Sequence, residues 1–137
     1  MYTEAVKILL VHPVQEIREK LTAELKKKGY FVSIATNGLD GLFACYYEKF
    51  SLIISAIDLQ KITAFEMIRT LHTRSSHNGT PTIFIGTGEE SPETLAIAVK
   101  LNAMIMPLPT IAKSINKVGE SAPLEDLLSL VKVGSIS

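Results

Sequence analysis

The residues that could do chemistry in this chain follow short apolar runs, at the points where strands of an α/β protein would end. His12-Pro13 follows the run ILLV, Asp58 lies two residues beyond the run LIISA, and Gly86-Thr87 follows the run TIFI. Because ligands of such folds bind outside the carboxyl ends of the strands, these side chains would gather at one site. An imidazole, a carboxylate and a hydroxyl are groups that can bind metal, titrate or hold a phosphoryl group.

Each of these residues also has a structural interpretation that needs no ligand. His12 and Asp58 make two ligands, which is too few for a closed zinc site, and no Cys or His spacing completes one. We expect His12 to be a partly buried histidine bonded to the backbone, and Asp58 to be a solvated or loop-capping residue. Glu89 and Glu90 follow Thr87 without the glycine and lysine spacing of a P-loop, and they would repel phosphate. The sequence therefore predicts no metal ion and no cofactor.

The elements that must position these residues alternate along the chain. Continuous apolar runs predict buried strands of a parallel sheet, and apolar residues at every third or fourth position predict amphipathic helices. The predicted strands are 8–11, 31–35, 52–56, 82–85 and 103–106, and the predicted helices are 13–28, 39–49, 65–74, 92–101 and 124–133. This alternation implies right-handed crossovers and a doubly wound α/β sheet.

The composition is that of one globular domain. The 137 residues are 47% hydrophobic and 20% charged, and 14 basic residues balance 14 acidic ones. Zero net charge argues against nucleic-acid binding by this domain, and no apolar run approaches the length of a membrane span. Because a single cysteine, Cys45, cannot form an internal disulfide, we expect a packed thiol and a cytoplasmic protein.

Several stretches, in their order along the chain, resemble the receiver domain of two-component response regulators. The segment KILLVHPVQEIREKLTAELKKKGYFVSIATNGLDGL resembles its opening, and SLIISAIDLQKITAFEMIRTL resembles its central strand, loop and third helix. TPTIFIGTG resembles its fourth strand and LNAMIMPLP its fifth. The resemblance implies a CheY-like, flavodoxin-like sheet of five parallel strands in the order 2-1-3-4-5 with five helices. We expect one receiver-like domain over 1–137, with its core at 7–133.

The resemblance also implies a phosphorylation site, and this chain departs from it at each decisive position. The family places two acids after its first strand to hold magnesium, where this chain has His12-Pro13. The family ends its third strand on the phosphorylated aspartate, where this chain has Ala56. The fourth strand of the family ends on Ser or Thr, where this chain has Gly86 with Thr87 beside it. Proline and alanine supply neither a magnesium ligand nor a nucleophile.

The position after the fifth strand departs in the same way. The family has a lysine, which pairs with the phosphoryl group, and then a proline, and the matching residues here are Leu108 and Pro109. The acid pair, the nucleophile, the hydroxyl and the lysine are therefore all missing. We interpret the chain as a degenerate pseudo-receiver that lacks the phosphoacceptor aspartate and is not an enzyme.

The expected work of such a domain is protein–protein binding. Receivers use the fourth helix, fifth strand and fifth helix for dimerisation and output, and the fourth helix here is apolar on nearly every face. The chain adds roughly ten residues to the usual loop length before its predicted last helix, an atypical inserted segment over 110–122. We expect a protein partner or output domain, or a second copy of the chain, at this face. Its candidate residues are Leu95, Ile97, Val99, Met104, Met106, Ile111, Ile115 and Val118.

Three alternatives remain open on the sequence. An uncharged cleft at Ala56 and Gly86 would suit a small-ligand sensor. Asp58 could be a relocated phosphoacceptor in an atypical receiver. A flavodoxin-like enzyme is the third, although Pro13 removes a backbone donor from the loop where a phosphate would bind.

Overall fold

The computed structural model describes residues 6–74 and 79–117 of the chain. These residues form five strands and five helices in strict alternation. The strands are β1 (Lys7–Val11), β2 (Phe31–Ala35), β3 (Leu52–Ala56), β4 (Thr82–Gly86) and β5 (Ala103–Pro107). The helices are α1 (Gln15–Lys27), α2 (Gly38–Tyr47), α3 (Ala64–Arg74), α4 (Pro92–Lys100) and α5 (Leu108–Lys117).

The strands form one parallel sheet in the order β2-β1-β3-β4-β5. The register pairs Leu10 of β1 with Ile34 of β2 on one side and with Ile54 of β3 on the other. Every residue of β3 is buried, because helices cover both faces of the sheet at its centre. The doubly wound α/β class, the parallel strands and their order are therefore confirmed.

Alternate strand residues point into two apolar layers, one on each face of the sheet. The layer under α1 and α5 is built on Ile8, Leu10 and Ile54. The layer under α2, α3 and α4 is built on Leu9 and Ile53. Because both layers are filled from the same short strands, the carboxyl ends of the strands are held in a fixed row.

Polar and glycine residues set the helix ends as their chemistry predicts. Gly29 follows α1 with a φ of 87°, a left-handed conformation that glycine adopts without strain. Asn37 caps α2, where its side-chain oxygen accepts the Asp40 N–H at 2.9 Å. Ser91 caps α4, and Asn102 follows that helix with a φ of 56°. Within the described residues, no helix combines the length and the apolar character that crossing a membrane would need.

The fifth helix differs from the sequence prediction. It begins at Leu108, directly after β5, and runs into the segment 110–122 where an insertion was predicted. Ile111 and Ile115 lie four residues apart on its inner face and are almost fully buried against the layer under α1. Pro109 lies in the first helical turn, where a missing N–H loses no hydrogen bond.

Residues 110–117 are therefore helical rather than loop, and the inserted segment itself stays a prediction. Burial of the apolar stripe that contains Ile111 and Ile115 stabilises this helix. An argument from loop length alone takes no account of that burial. Residues 118–122 and the helix predicted at 124–133 lie outside the described part of the chain.

Candidate functional site

The predicted site residues lie at the carboxyl ends of neighbouring strands. His12 directly follows β1, Ala56 ends β3 and Gly86 ends β4. Strand pairing joins β1 to β3, β3 to β4, and β4 to β5, with Gly86 opposite Pro107. The row that the sequence predicted is therefore present, and its chemistry depends on the side chains that fill it.

The central position of the row carries a methyl group. Ala56 is 6% exposed and is the last residue of β3. Ser55, which precedes it, is fully buried and its hydroxyl donates to the Ala56 carbonyl at 2.8 Å. Asp58 is exposed in the loop that follows. The end of β3 itself therefore offers no nucleophile.

His12 holds the start of the first helix. Its Nδ1 accepts the Val14 N–H at 3.0 Å, and its carbonyl accepts from the Arg18 guanidinium at 2.9 Å. Helix α1 begins at Gln15, beyond Pro13, because Val14 is still extended. Burial, together with the charge of Arg18, lowers the pKa of His12 from its usual 6.5, so the imidazole is neutral at pH 7 with its proton on Nε2. The expected histidine, buried and bonded to backbone, is confirmed.

The loop after β4 contains a contact that the sequence did not predict. The Glu90 carboxylate accepts the Thr87 N–H at 2.8 Å and the Thr87 hydroxyl at 2.9 Å through Oε2. Its Oε1 accepts the Gly88 N–H at 3.1 Å. These hydrogen bonds, that from the Thr87 N–H first, lower the pKa of Glu90. The available signal was a carboxylate three residues after a threonine, the spacing with which a capping box reaches back to backbone N–H groups.

Gly86 leaves the space that this carboxylate uses. A Cβ at Gly86 would lie 2.5 Å from Ile105 Cγ2 and 2.7 Å from Glu90 Oε1. Any side chain at the end of β4 would therefore displace one of these neighbours. The position of the Glu90 carboxylate therefore depends on the absence of a side chain at residue 86.

The fifth strand ends one residue later than the sequence predicted, at Pro107 rather than Met106. Leu108 and Pro109 follow the strand, as the first two residues of α5, and Pro109 is exposed. In the strand pairing, Pro107 is the residue opposite Gly86. None of these residues is a lysine, and the Met106 side chain is buried.

The row has little capacity for ion or group transfer chemistry. Among residues 6–74 and 79–117, no group of three or more His, Cys, Asp or Glu side chains is arranged to hold a metal ion. Cys45 is buried, and desolvation raises its pKa to about 12, so its thiol is a packing group as expected.

Only some residues of the predicted interaction face are exposed to solvent. Leu95 and Val99 of α4 are 45% and 74% exposed. Ile97 and Met104 are half-buried and pack against the two core layers. The exposed apolar part of this face within the described residues is therefore a short stripe on α4.

Three predicted members of that face belong to the core. Met106, Ile111 and Ile115 are each 1% exposed, so their assignment to a binding surface is wrong. They point inward because β5 and α5 pack against the layer under α1. Val118 lies outside the described residues.

A second exposed apolar region was missed by the sequence analysis. Phe31 and Ile34 on β2 are 60% and 55% exposed, and Phe43 and Tyr47 on α2 are 50% and 87% exposed. Strand periodicity suggested that β2 is buried like the other strands. The strand order that the resemblance implied already put β2 at the edge of the sheet, and this position leaves these side chains uncovered.

Comparison with known proteins gives a partial sequence match. No family model matches the chain. Over 86 residues the chain is 31% identical to the uncharacterized transcriptional regulatory protein YkoG of Bacillus subtilis (strain 168), a match that covers 63% of this chain and 37% of that protein. The chain spans about a third of the length of the curated relatives it matches.

Solved structures match over nearly the whole chain. The chemotaxis response regulator CheY4 of Vibrio cholerae is 24% identical with a TM-score of 0.72, covering 96% of this chain and 99% of that one. A CheY-like response regulator receiver domain protein of Methanospirillum hungatei JF-1 is 23% identical with a TM-score of 0.75, covering 95% and 99%. The chain therefore has the CheY-like fold of response-regulator receiver domains, and part of its sequence is similar to that of a transcriptional regulatory protein.

Proposed function

We propose that this chain is a phosphorylation-independent receiver domain that works by protein–protein binding and catalyses no reaction. The observation that carries the proposal is Ala56, a buried methyl group at the end of β3. By the resemblance, this is the position of the phosphoacceptor aspartate. An alanine cannot form the acyl phosphate on which a receiver switch depends.

The neighbouring groups support the same conclusion. The Thr87 hydroxyl and the Thr87 and Gly88 N–H groups already bind the Glu90 carboxylate. A phosphoryl group would have to displace this carboxylate and would meet its negative charge. His12, neutral and bonded to Val14, replaces part of the acid pair that would hold magnesium.

The proposed binding surface is the outer face of α4 with the adjoining β5. Leu95 and Val99 are exposed apolar side chains on this face. Exposed apolar side chains that lie together on one helix are typical of protein–protein interaction sites. The partner class that we propose is a separate protein or an output domain in the cytoplasm, because the named relative is a transcriptional regulatory protein. Regulation would then come from partner binding or expression level.

The deciding experiment is a titration of the isotope-labelled chain with beryllofluoride and magnesium, followed by amide NMR. A receiver domain that accepts phosphate serves as the positive control, and Ala56→Asp is titrated beside the native chain. We expect no saturable shifts in the native chain at the residues that end the strands. Incubation with acetyl phosphate and magnesium, read by intact mass, should add no phosphate.

Two results would replace the proposal. Saturable shifts around Asp58 and Thr87 that disappear in Asp58→Asn would identify a relocated phosphoacceptor. A small molecule that copurifies, is released on denaturation and shifts only the residues at the strand ends would identify a ligand sensor.

A further inference from the structure

The sheet has an edge at β2 whose own side chains carry no charge, and the one charged group bonded to it in the described residues is the Glu48 carboxylate at Ser33. The sequence of β2, FVSIA, contains neither proline nor a charged residue. Phe31 and Ile34 point to opposite faces of the sheet, and both are more than half exposed. Natural edge strands usually carry charges, prolines or bulges that prevent pairing, so an unprotected edge is a template for another strand.

The backbone of β2 shows which groups are available for such pairing. The Phe31 N–H donates to the Val6 carbonyl at 2.9 Å, and the Ala35 carbonyl accepts from the His12 N–H at 3.0 Å. These groups point toward β1. Because backbone groups alternate along a strand, the N–H and carbonyl groups of Val32 and Ile34 point away from the sheet.

Helix α1 beside this edge carries one pair of opposite charges, Glu19 and Lys26, that matches its own antiparallel image, whereas Arg18 in the lining of the adjacent groove donates to the His12 carbonyl. An open groove of about 430 Å³ runs between α1 and Ile34. Its lining on α1 includes Glu19 and Lys26, which lie at equal distances on either side of Thr22 and Ala23. An antiparallel copy of the same helix would therefore place an acid against a base at both ends, with small residues between them.

We propose that two copies of the chain pair through β2, antiparallel about a two-fold axis at Ser33. Val32 would then face Ile34 of the second copy, and each of the two such pairs would exchange two backbone hydrogen bonds. Because α1 packs over both β1 and β2, the two α1 helices lie roughly 10 Å apart across the joined edge, a helix-packing distance. Glu19 of each copy faces Lys26 of the other.

The opposite face of the edge adds apolar area to the same interface. The Ser33 hydroxyl donates to Glu48 Oε2 at 3.3 Å, which places the end of α2 beside the proposed axis. Tyr47 precedes Glu48 and is 87% exposed, and Phe31 lies on the same face of β2. A second copy is favoured over an unrelated strand because Glu19 and Lys26 of α1 match their own antiparallel image. The inference does not depend on the proposed lack of phosphorylation.

The charge pairing is tested by measuring the dimer dissociation constant with analytical ultracentrifugation. Glu19→Lys alone and Lys26→Glu alone each bring like charges together twice and should weaken the dimer by more than about tenfold. The double variant Glu19→Lys with Lys26→Glu restores opposite charges and should restore the native constant. The control is Lys20→Glu, which changes an exposed residue of α1 that does not line the groove. A native chain that stays monomeric at NMR concentrations, or a double variant no better than the single ones, would overturn the proposal.

The register is tested by an engineered cross-link. Ser33 would face its own copy in a non-hydrogen-bonded pair about 4.5 Å apart at Cα, which is close enough for a disulfide. Ser33→Cys should therefore form a disulfide-linked dimer under mild oxidation. Buried Cys45, with its pKa raised to about 12, does not compete. Thr36→Cys, exposed but off the axis, is the control, and cross-linking of both variants at the same rate would contradict the register.

Discussion

Glu90 and Thr87 are joined by two hydrogen bonds, because one carboxylate oxygen accepts both the main-chain N–H and the hydroxyl of Thr87, at 2.8 and 2.9 Å. The other oxygen accepts the Gly88 N–H. The loop after β4 is therefore shaped around a negative charge that the chain itself supplies.

The first prediction concerns how the loop after β4 responds to a fall in pH. Hydrogen bonds hold the pKa of Glu90 below its ordinary 4.5. A carboxyl with a lowered pKa stabilises the folded loop above its unfolded pKa and loses this contribution as pH falls through the folded pKa. We expect the amide signals of Thr87 and Gly88 to move together at a midpoint below pH 4.5, followed by NMR.

The matched variants for this prediction are neighbours in the chain. Glu90→Gln should abolish the acid transition, because an amide does not titrate and cannot accept at both of its terminal atoms. Glu89→Gln changes an exposed side chain with no part in the loop contacts and should leave the transition in place. The same transition in Glu90→Gln would show that another group controls the loop.

A second prediction concerns the glycine at the end of β4. Gly86→Ala places a methyl group against Ile105 and the Glu90 carboxylate, and should destabilise the fold by about 1–3 kcal/mol, measured by urea unfolding. Combined with Glu90→Ala, the substitution should cost less than the sum of the two single changes, because one of the clashing groups is gone. Additive costs would show that the carboxylate does not crowd this position.

The third prediction tests the buried methyl group. Ala56→Asp should destabilise the fold by about 2–4 kcal/mol at pH 7, because the new carboxylate is buried beside no lysine or metal. Burial raises the pKa of such a group, so the deficit should shrink as pH falls below that pKa and the carboxyl becomes neutral. Ala56→Asn has the same shape without the charge and should cost less at pH 7, with no such pH dependence. A native-like stability for Ala56→Asp would mean that the pocket is built for an acid.

The fourth prediction concerns His12. Its effect on the pH dependence of the free energy of unfolding is opposite to that of a histidine paired with an acid. Because its folded pKa lies below 6.5, its neutral form favours folding. Its contribution is fully present above pH 6.5 and is lost as pH falls from there toward the folded pKa. The free energy of unfolding should therefore decrease over that interval. His12→Asn keeps a side-chain acceptor for the Val14 N–H and should remove this part of the pH dependence; an unchanged profile would assign it to another group.

The fifth prediction compares a buried and an exposed residue of the predicted interaction face. The sequence analysis placed both Ile111 and Val99 on that face, and the structure buries only Ile111. Ile111→Ala should cost about 2–5 kcal/mol, because it opens a cavity between α5 and α1. Val99→Ala removes an exposed side chain and should change stability by less than about 0.5 kcal/mol. Equal costs in chemical denaturation would contradict the placement of α5.

Much of the fold was predictable because its signals are local. The runs ILLV, LIISA and TIFI are long enough to be buried strands, and Gly29 and Asn102 end their helices through backbone conformations that their side chains permit. The departures from the receiver pattern were also predictable, since Ala56 needs only to be identified at the end of its strand. The helix at Leu108–Lys117 was not predicted because the loop-length argument was given more weight than the spacing of Ile111 and Ile115.

The sequence by itself determined the class of fold, the order of the elements along the chain and the alanine at the end of the third strand. These follow from residue types and their periodicity, which act over a few positions. Only the tertiary structure decided that Glu90 turns back onto Thr87, that Met106 is core, and that Phe31 and Ile34 on β2 are more than half exposed. Those outcomes depend on which distant segments meet in space, because burial is a property of the packed sheet and not of any single stretch of chain.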